Sequence, residues 1–151
     1  MKKSILGLLL IIGISINLVA SDRFVRDDTK EVVIDRATNL MWQDNNDTIA
    51  AKKDWLVAIG YCENLTLSGY SDWHLPNRNE LYGITDKSRY NPAINPTFQN
   101  VVSNNYWSSS IIVDDSSVRA WGVSFSSSAV GLRWWDTRSP SHYVRCVRDN
   151  D

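Results

Sequence analysis

A short segment near the C-terminus combines side chains that are suited to binding sugars. Residues 133–138 read Arg-Trp-Trp-Asp-Thr-Arg. An exposed indole can stack on the face of a sugar ring, and a guanidinium donates paired hydrogen bonds to a sulfate or carboxylate. Neighbouring residues of a strand point to opposite faces, so we expect one of the two indoles to be exposed. We therefore predict ligand contacts from Arg133, Trp134, Trp135 and Arg138. The alternative is that both indoles pack against the protein.

Other reactive residues lack the spacing of a catalytic or metal site. Glu80 is better placed to cap a helix, and Asp72 to hold a loop, than to act as an acid–base pair. His74 and His142 do not have the spacing of zinc ligands. Asp114-Asp115 is typical of a solvated turn, and no motif supports calcium binding there. We therefore predict a protein that is not an enzyme, with no catalytic residue, metal or cofactor.

The overall charge argues against one class of partner. The chain has 151 residues, with 16 basic and 17 acidic side chains and a formal charge of -1. Without a basic excess, binding of nucleic acid through its phosphates is not expected. The apolar content of 43% is enough for a packed core, and the length fits one domain.

The first 21 residues have the pattern of a secretory signal peptide. Two lysines precede an almost wholly apolar run over 5–19, and small residues follow at Ala20 and Ser21. The run is short for a membrane span, which takes about 20 apolar residues, but an uncleaved anchor is the alternative. Cleavage would leave one domain, 22–151, with no second hydrophobic span. We expect it to be secreted, periplasmic or on the surface of a bacterial cell.

Cys62 and Cys146 are the two cysteines of the chain. An even number of cysteines in an exported protein favours a disulfide. A redox pair usually has CxxC spacing and a zinc site has its own ligand spacing, and neither is found here. We predict one disulfide that ties a helix to the last strand. The chain entropy of so long a loop corresponds to roughly 4–5 kcal/mol.

The elements of the first half follow from the periodicity of apolar residues. Residues 31–35 and 40–43 are predicted to form paired strands, with a polar loop over 44–48. Asp54 is a predicted N-cap, followed by a helix that ends near Ser68-Gly69. The apolar face of this helix comprises Trp55, Ala58, Ile59, Cys62 and Leu65. A second helix is expected after Asn77, with Glu80 completing a capping box and Leu81 and Ile84 buried.

The last third of the chain is predicted to be β. The expected strands are 106–110, 119–126, 131–135 and 142–148. Alternation over the second of these places Trp121, Val123 and Phe125 on one face. Two early helices and a β-rich second half predict an α+β fold, with two short helices packed on antiparallel sheets. Core packing is expected for the tryptophans Trp42, Trp73, Trp107 and Trp121.

Six blocks of residues, taken in order, resemble one known family. The blocks are Asn39-Leu40-Met41-Trp42-Gln43, residues 58–65, residues 69–77 with Glu80-Leu81, Tyr106-Trp107-Ser108-Ser109, Ala120-Trp121 with Phe125, and residues 143–148. This order and spacing resemble the DUF1566 family, the Lcl C-terminal domain of a collagen-like bacterial adhesin. The match spans nearly all of 22–151.

The resemblance implies a C-type-lectin-like fold in which the first helix is disulfide-bonded to the last strand. It also implies a bacterial envelope or secreted protein, since the adhesin's domain is linked to sulfated polysaccharides and host surfaces. This chain departs from the family at His74, where arginine is usual, and it has no collagen-like repeat. The EPN, QPD and WND tripeptides of calcium-dependent lectin sites are absent, which disfavours a calcium-bridged sugar site.

These observations predict a non-enzymatic domain that binds an extracellular polysaccharide or glycoconjugate, as in adhesion. One alternative is a protein–protein interaction module in the periplasm or at the cell surface. A second alternative is an enzyme of the formylglycine-generating type, a class in the same fold superfamily. Catalysis in that class uses free cysteines, so a disulfide between Cys62 and Cys146 argues against it.

Overall fold

The computed structural model describes residues 22–50, 52–113, 118–126 and 133–151, and for 133–136 it describes the backbone alone. These ranges contain the strands β1 (Phe24–Asp27), β2 (Val32–Asp35), β3 (Leu40–Gln43), β4 (Asn105–Val113), β5 (Val118–Ser124), β6 (Arg133–Thr137) and β7 (Val147–Asp149). The helices there are α1 (Asp47–Ala50), α2 (Trp55–Glu63) and α3 (Arg78–Gly83). The prediction of an α+β fold with antiparallel sheets is confirmed. No helix in the described ranges has the length and apolarity needed to cross a bilayer.

The first sheet contains strands from both ends of the described chain. Its strand order is β1-β2-β3-β7, and all neighbours are antiparallel. The predicted pair of strands is present as β2 and β3, whereas β1 was not predicted. Trp42 lies opposite both Val33 and Val147, and all three side chains are buried. The sheet therefore places the last strand in the core.

The second sheet has the order β4-β5-β6 among the described strands. Val123 of the predicted face is fully buried, whereas the core packing predicted for Trp121 is not found. Ala120 and Val123 are both buried, in separate core clusters, while Trp121 is only half-buried. Both faces of β5 are covered by core residues, so alternation alone could not identify an exposed face. A register shift in β4 between Trp107 and Ile111 lies opposite this part of β5.

Local caps explain where the helices begin and end. The Asp54 carboxylate accepts the Val57 N–H at 2.9 Å, which confirms the predicted start of α2. The helix ends at Glu63, earlier than predicted, and Asn64 donates its side-chain amide to Gly60 O at 2.7 Å. Ser68-Gly69 instead forms a separate tight turn, and both residues have positive φ. The capping box of α3 is confirmed, and α1 occupies part of the predicted loop.

Two hydrophobic clusters lie on either side of the second sheet, and a disulfide secures one of them. Cys62 of α2 is bonded to Cys146, with the two Cα atoms 5.5 Å apart, so the predicted disulfide is confirmed. Cys146 immediately precedes β7, and both cysteines are fully buried. The tryptophans buried as predicted are Trp42, Trp73 and Trp107. The bond thus holds α2 against the strand that closes the first sheet.

A buried ion pair joins the end of β3 to the residues that precede β7. Arg145 donates to Asp44 Oδ1 at 2.7 Å, and neither side chain is exposed. Asp44 also accepts from Arg26 and from the backbone N–H of Gln99 at 2.9 Å. Burial lowers the pKa of Arg145 to about 10, so the guanidinium remains charged near neutral pH.

Candidate functional site

The segment predicted to contact ligand lies at one edge of the second sheet. Residues 133–137 form β6, where Trp134 is paired with Gly122 and Trp135 with Trp121. The side chains of Arg133, Trp134 and Trp135 lie outside the described residues, so the expected exposure of one indole stays a prediction. Arg138 follows β6 directly and is described in full.

A cleft of about 460 Å³ opens beside Arg138, between the start of α2 and the end of β6. We call it the α2–β6 cleft. Its described lining residues are Asp54, Leu56, Val118, Thr137, Arg138 and Ser139. The structure therefore brings one of the four predicted contact residues together with side chains from α2 and β5.

Backbone hydrogen bonds fix the two walls of this cleft relative to each other. The Trp55 N–H donates to Arg138 O at 3.1 Å. Lys53 and His142 exchange two backbone hydrogen bonds, of 2.9 and 3.0 Å. The Trp55 indole N–H donates to Ser108 O at 2.8 Å, which anchors the helix start to β4. The segment that follows β6 is thus attached to the residues that begin α2.

The lining combines charges, hydroxyls and exposed aliphatic groups. The Arg138 guanidinium lies 5.5 Å from the centre of the Trp55 ring, a cation–π distance. Asp54 supplies a carboxylate, and Thr137 and Ser139 supply hydroxyl groups. Leu56 is 63% exposed and Val118 36% exposed, so the cleft also presents aliphatic surface to solvent. Such a lining can hydrogen-bond a polyhydroxyl ligand, pair with an anionic group and contact an apolar ring face.

The aliphatic surface continues beyond the cleft along β4. Val113, which is 67% exposed, is the register partner of Val118, and Ile111 is 47% exposed. Val57, in the first turn of α2, is also exposed. This surface was not predicted from the sequence. The available signal was that α2 is apolar beyond its buried face, since Leu56 and Val57 fall outside the predicted stripe.

Trp121 lies outside the lining of the α2–β6 cleft. The Arg78 guanidinium is 4.9 Å from its ring centre, and both side chains are half-buried. Arg78 is held at the start of α3, where its backbone N–H donates to Ser110 Oγ at 3.0 Å. This stacked pair therefore belongs to the contact between α3 and the second sheet.

The two carboxylates considered for acid–base chemistry have separate structural partners. Asp72 accepts from Arg148 at 2.7 and 3.0 Å, and this hydrogen bonding lowers the pKa of Asp72. Glu80 Oε2 accepts the Asn77 N–H at 2.7 Å in the capping box. Within the described ranges, no group of three or more His, Cys, Asp or Glu side chains is arranged to hold a metal ion. Asp114-Asp115 lies outside those ranges.

The fold and the cleft together define a disulfide-linked α+β domain with a mixed polar and aliphatic cleft beside β6. The family model of the Lcl C-terminal domain matches residues 31–148, and the chain belongs to that family. This confirms the resemblance seen in the six sequence blocks. A search of curated proteins found no match to this chain.

Proposed function

We propose that this chain is an exported, non-enzymatic binding domain that recognises an extracellular polysaccharide or glycoconjugate. We propose in addition that its fold is C-type-lectin-like. Two features support export: the signal-peptide pattern of the first 21 residues and a disulfide, a bond typical of oxidising compartments. The mass of the exported protein tests this point, since cleavage after Ala20 or Ser21 removes a segment of known mass.

The observation that carries the proposal is the composition of the α2–β6 cleft. A guanidinium, a carboxylate and two hydroxyl-bearing residues surround the exposed side chains of Leu56 and Val118. Sugars present hydroxyls at their edges and C–H groups on their ring faces, so both kinds of surface are needed for recognition. Thr137, which lines the cleft, is the last residue of β6, the strand that contains Trp134 and Trp135. A ligand seated there would contact Arg138, one of the four residues predicted from the sequence.

We propose that binding does not require calcium. Calcium takes six to eight oxygen ligands, several of them carboxylates. Asp54 is the one carboxylate among the described lining residues, and its Oδ1 already accepts the Val57 N–H. Arg138 would supply the local charge for an anionic substituent. Removing the signal segment leaves 14 basic and 17 acidic side chains. Long-range attraction of polyanions is therefore not expected.

A glycan array probed with the oxidised domain, residues 22–151, tests the proposal. We expect binding that survives a calcium chelator and is lost in Arg138→Ala and in at least one of Trp134→Ala and Trp135→Ala. Arg36→Ala is the matched control, because Arg36 lies in an exposed turn away from the cleft. Binding abolished by the chelator, or unaffected by all three cleft-side substitutions, would contradict the proposed site.

The exposed aliphatic surface favours a second candidate, a protein–protein interaction module. Val113, Ile111 and Leu56 are among the most exposed apolar side chains, and contiguous surface of this kind is common at interfaces. Absence of binding to every glycan, with a folded and disulfide-bonded sample, would favour this candidate. Cross-linking to a partner that Val113→Asp abolishes and Ile49→Asp preserves would support it directly.

A further inference from the structure

His74 lies where the segment before α3 meets the last strand. Its backbone exchanges two hydrogen bonds with Val147 of β7, at 2.9 and 3.0 Å. Its imidazole Nε2 is 3.7 Å from Glu80 Oε2, and the side chain is about half exposed. At this distance the contact is longer than a hydrogen bond, so its strength depends on whether the imidazole is charged.

The carboxylate that faces His74 is held in place by the helix cap. Glu80 Oε2 accepts the Asn77 N–H at 2.7 Å, while Asn77 Oδ1 accepts the Glu80 N–H at 2.9 Å. The same Glu80 oxygen therefore accepts the hydrogen bond of the capping box and lies nearest to the His74 imidazole. A change of charge on His74 acts directly on the first turn of α3.

The charged groups around the imidazole are mostly acidic. Glu80 faces it from α3, Asp149 from β7 and Asp72 from the preceding segment. Asp72 is paired with Arg148, and the Arg148 side chain is almost fully buried over the Tyr70 ring. The contact with Glu80 raises the pKa of His74, and the charges of Asp149 and Asp72 act in the same direction, against the effect of burial.

We propose that His74 and Glu80 form a pH-sensitive clasp, which binds the start of α3 to the β7 side of the domain more tightly when His74 is protonated. The clasp is independent of the α2–β6 cleft, because neither residue lines that cleft. It gives the domain a response to pH that does not require a ligand.

The direction of the response follows from the two pKa changes. The pKa of His74 is raised on folding, so its contribution is complete below about pH 6.5 and is lost as the pH rises through the folded-state value. The pKa of Glu80 is lowered, chiefly by His74, so its contribution is complete above about pH 4.3 and is lost as the pH falls through the folded-state value. The clasp is therefore strongest between about pH 4.3 and 6.5.

Proton NMR titration of the oxidised protein tests the clasp by measuring the pH at which the His74 imidazole titrates. We expect the His74 imidazole to titrate above pH 6.5 in the wild type and at a lower pH in Glu80→Gln. This substitution removes the charge of residue 80 but is expected to preserve the helix cap, because glutamine also serves at the third position of a capping box. An unchanged midpoint in Glu80→Gln would overturn the proposal.

Hydrogen exchange of the Leu81 amide tests whether the clasp stabilises the first turn of α3. Its N–H donates to Asn77 O at 3.0 Å, in the first turn of α3. We expect its protection factor to rise roughly two- to fivefold from pH 8 to 5.5, as for a solvent-accessible ion pair. The rise should vanish in His74→Gln, and protection should stay high throughout in His74→Arg. An equal rise in His74→Gln would overturn the clasp and assign the effect to another group.

Discussion

Arg145 and Asp44 form a wholly buried ion pair, and Asp44 also accepts a hydrogen bond from the Arg26 side chain. Arg145 also donates to Gln43 O and Asn100 O, each at 2.5 Å. An isolated charge is costly in such a place, and the pair is tolerated because each charge has a partner. The burial of this pair was not predicted from the sequence, since buried charge has no periodicity and depends on contacts between distant segments.

Removal of one charge of this pair should be strongly destabilising. We expect Arg145→Met to lower the free energy of unfolding by about 3–5 kcal/mol, because Asp44 then remains buried with fewer donors. Arg36→Met makes the same chemical change at an exposed turn and should cost less than about 0.5 kcal/mol. Urea unfolding of the oxidised variants measures both. Equal midpoints for the two variants would contradict this account of Arg145.

At the scale of elements, the helix caps were the most predictable features. Asp54 and the Asn77–Glu80 box act within one turn of chain, so their sequence pattern contains most of the information needed. The burial of each position of β5 was not predictable, since it depends on what covers each face of the sheet. The half-burial of Trp121 against Arg78 is the clearest case.

The cap of α3 can be tested by comparing two neighbouring asparagines. Asn77→Ala removes the side-chain acceptor for the Asn79 and Glu80 N–H groups, and we expect a loss of about 1 kcal/mol of stability. Asn79→Ala makes the same change at an exposed position inside the helix and should alter stability by less than about 0.5 kcal/mol. Thermal unfolding of both variants provides the comparison. A larger loss for Asn79→Ala than for Asn77→Ala would refute the assigned cap.

In the candidate site too, residues that belong to one local run of the sequence were predictable, and residues brought together by packing were not. Arg138 was predicted from a local run of aromatic and basic residues. Leu56 and Val118 lie far apart in the chain, and only the packing of α2 beside the second sheet brings them to one cleft. Arg138 was therefore predictable from the sequence, whereas the part of the cleft formed by Leu56 and Val118 was not.

For the whole molecule, the disulfide is the main constraint on the unfolded chain. Cys62 and Cys146 are 84 positions apart, so the bond closes most of the domain into one loop. We expect reduction to lower the free energy of unfolding by about 4–5 kcal/mol, the entropy of a loop of this length. Urea unfolding with and without reductant measures the change, with thiol titration to verify reduction. An unchanged midpoint in a fully reduced sample would show that the bond is energetically neutral.

For the architecture as a whole, the α+β fold class and the pairing of the two cysteines were predictable from the sequence. The signal-peptide pattern, an even cysteine count and six ordered blocks predicted one disulfide-linked α+β domain, and the disulfide and the family match over 31–148 are found. The strand order was not predictable, because β7 pairs with β3 across more than a hundred residues of chain. Contacts at such a separation leave no local pattern.

The central claim is that a glycan binds in the α2–β6 cleft, and chemical-shift mapping tests this most directly. The oxidised domain, labelled with ¹⁵N, is titrated with the oligosaccharide that gives the strongest array signal. We predict that the largest amide shifts fall on Leu56, Val118, Thr137, Arg138 and Ser139, and that they disappear in Arg138→Ala but persist in Arg36→Ala. Shifts centred on another face of the domain, with these five amides unmoved, would contradict the account.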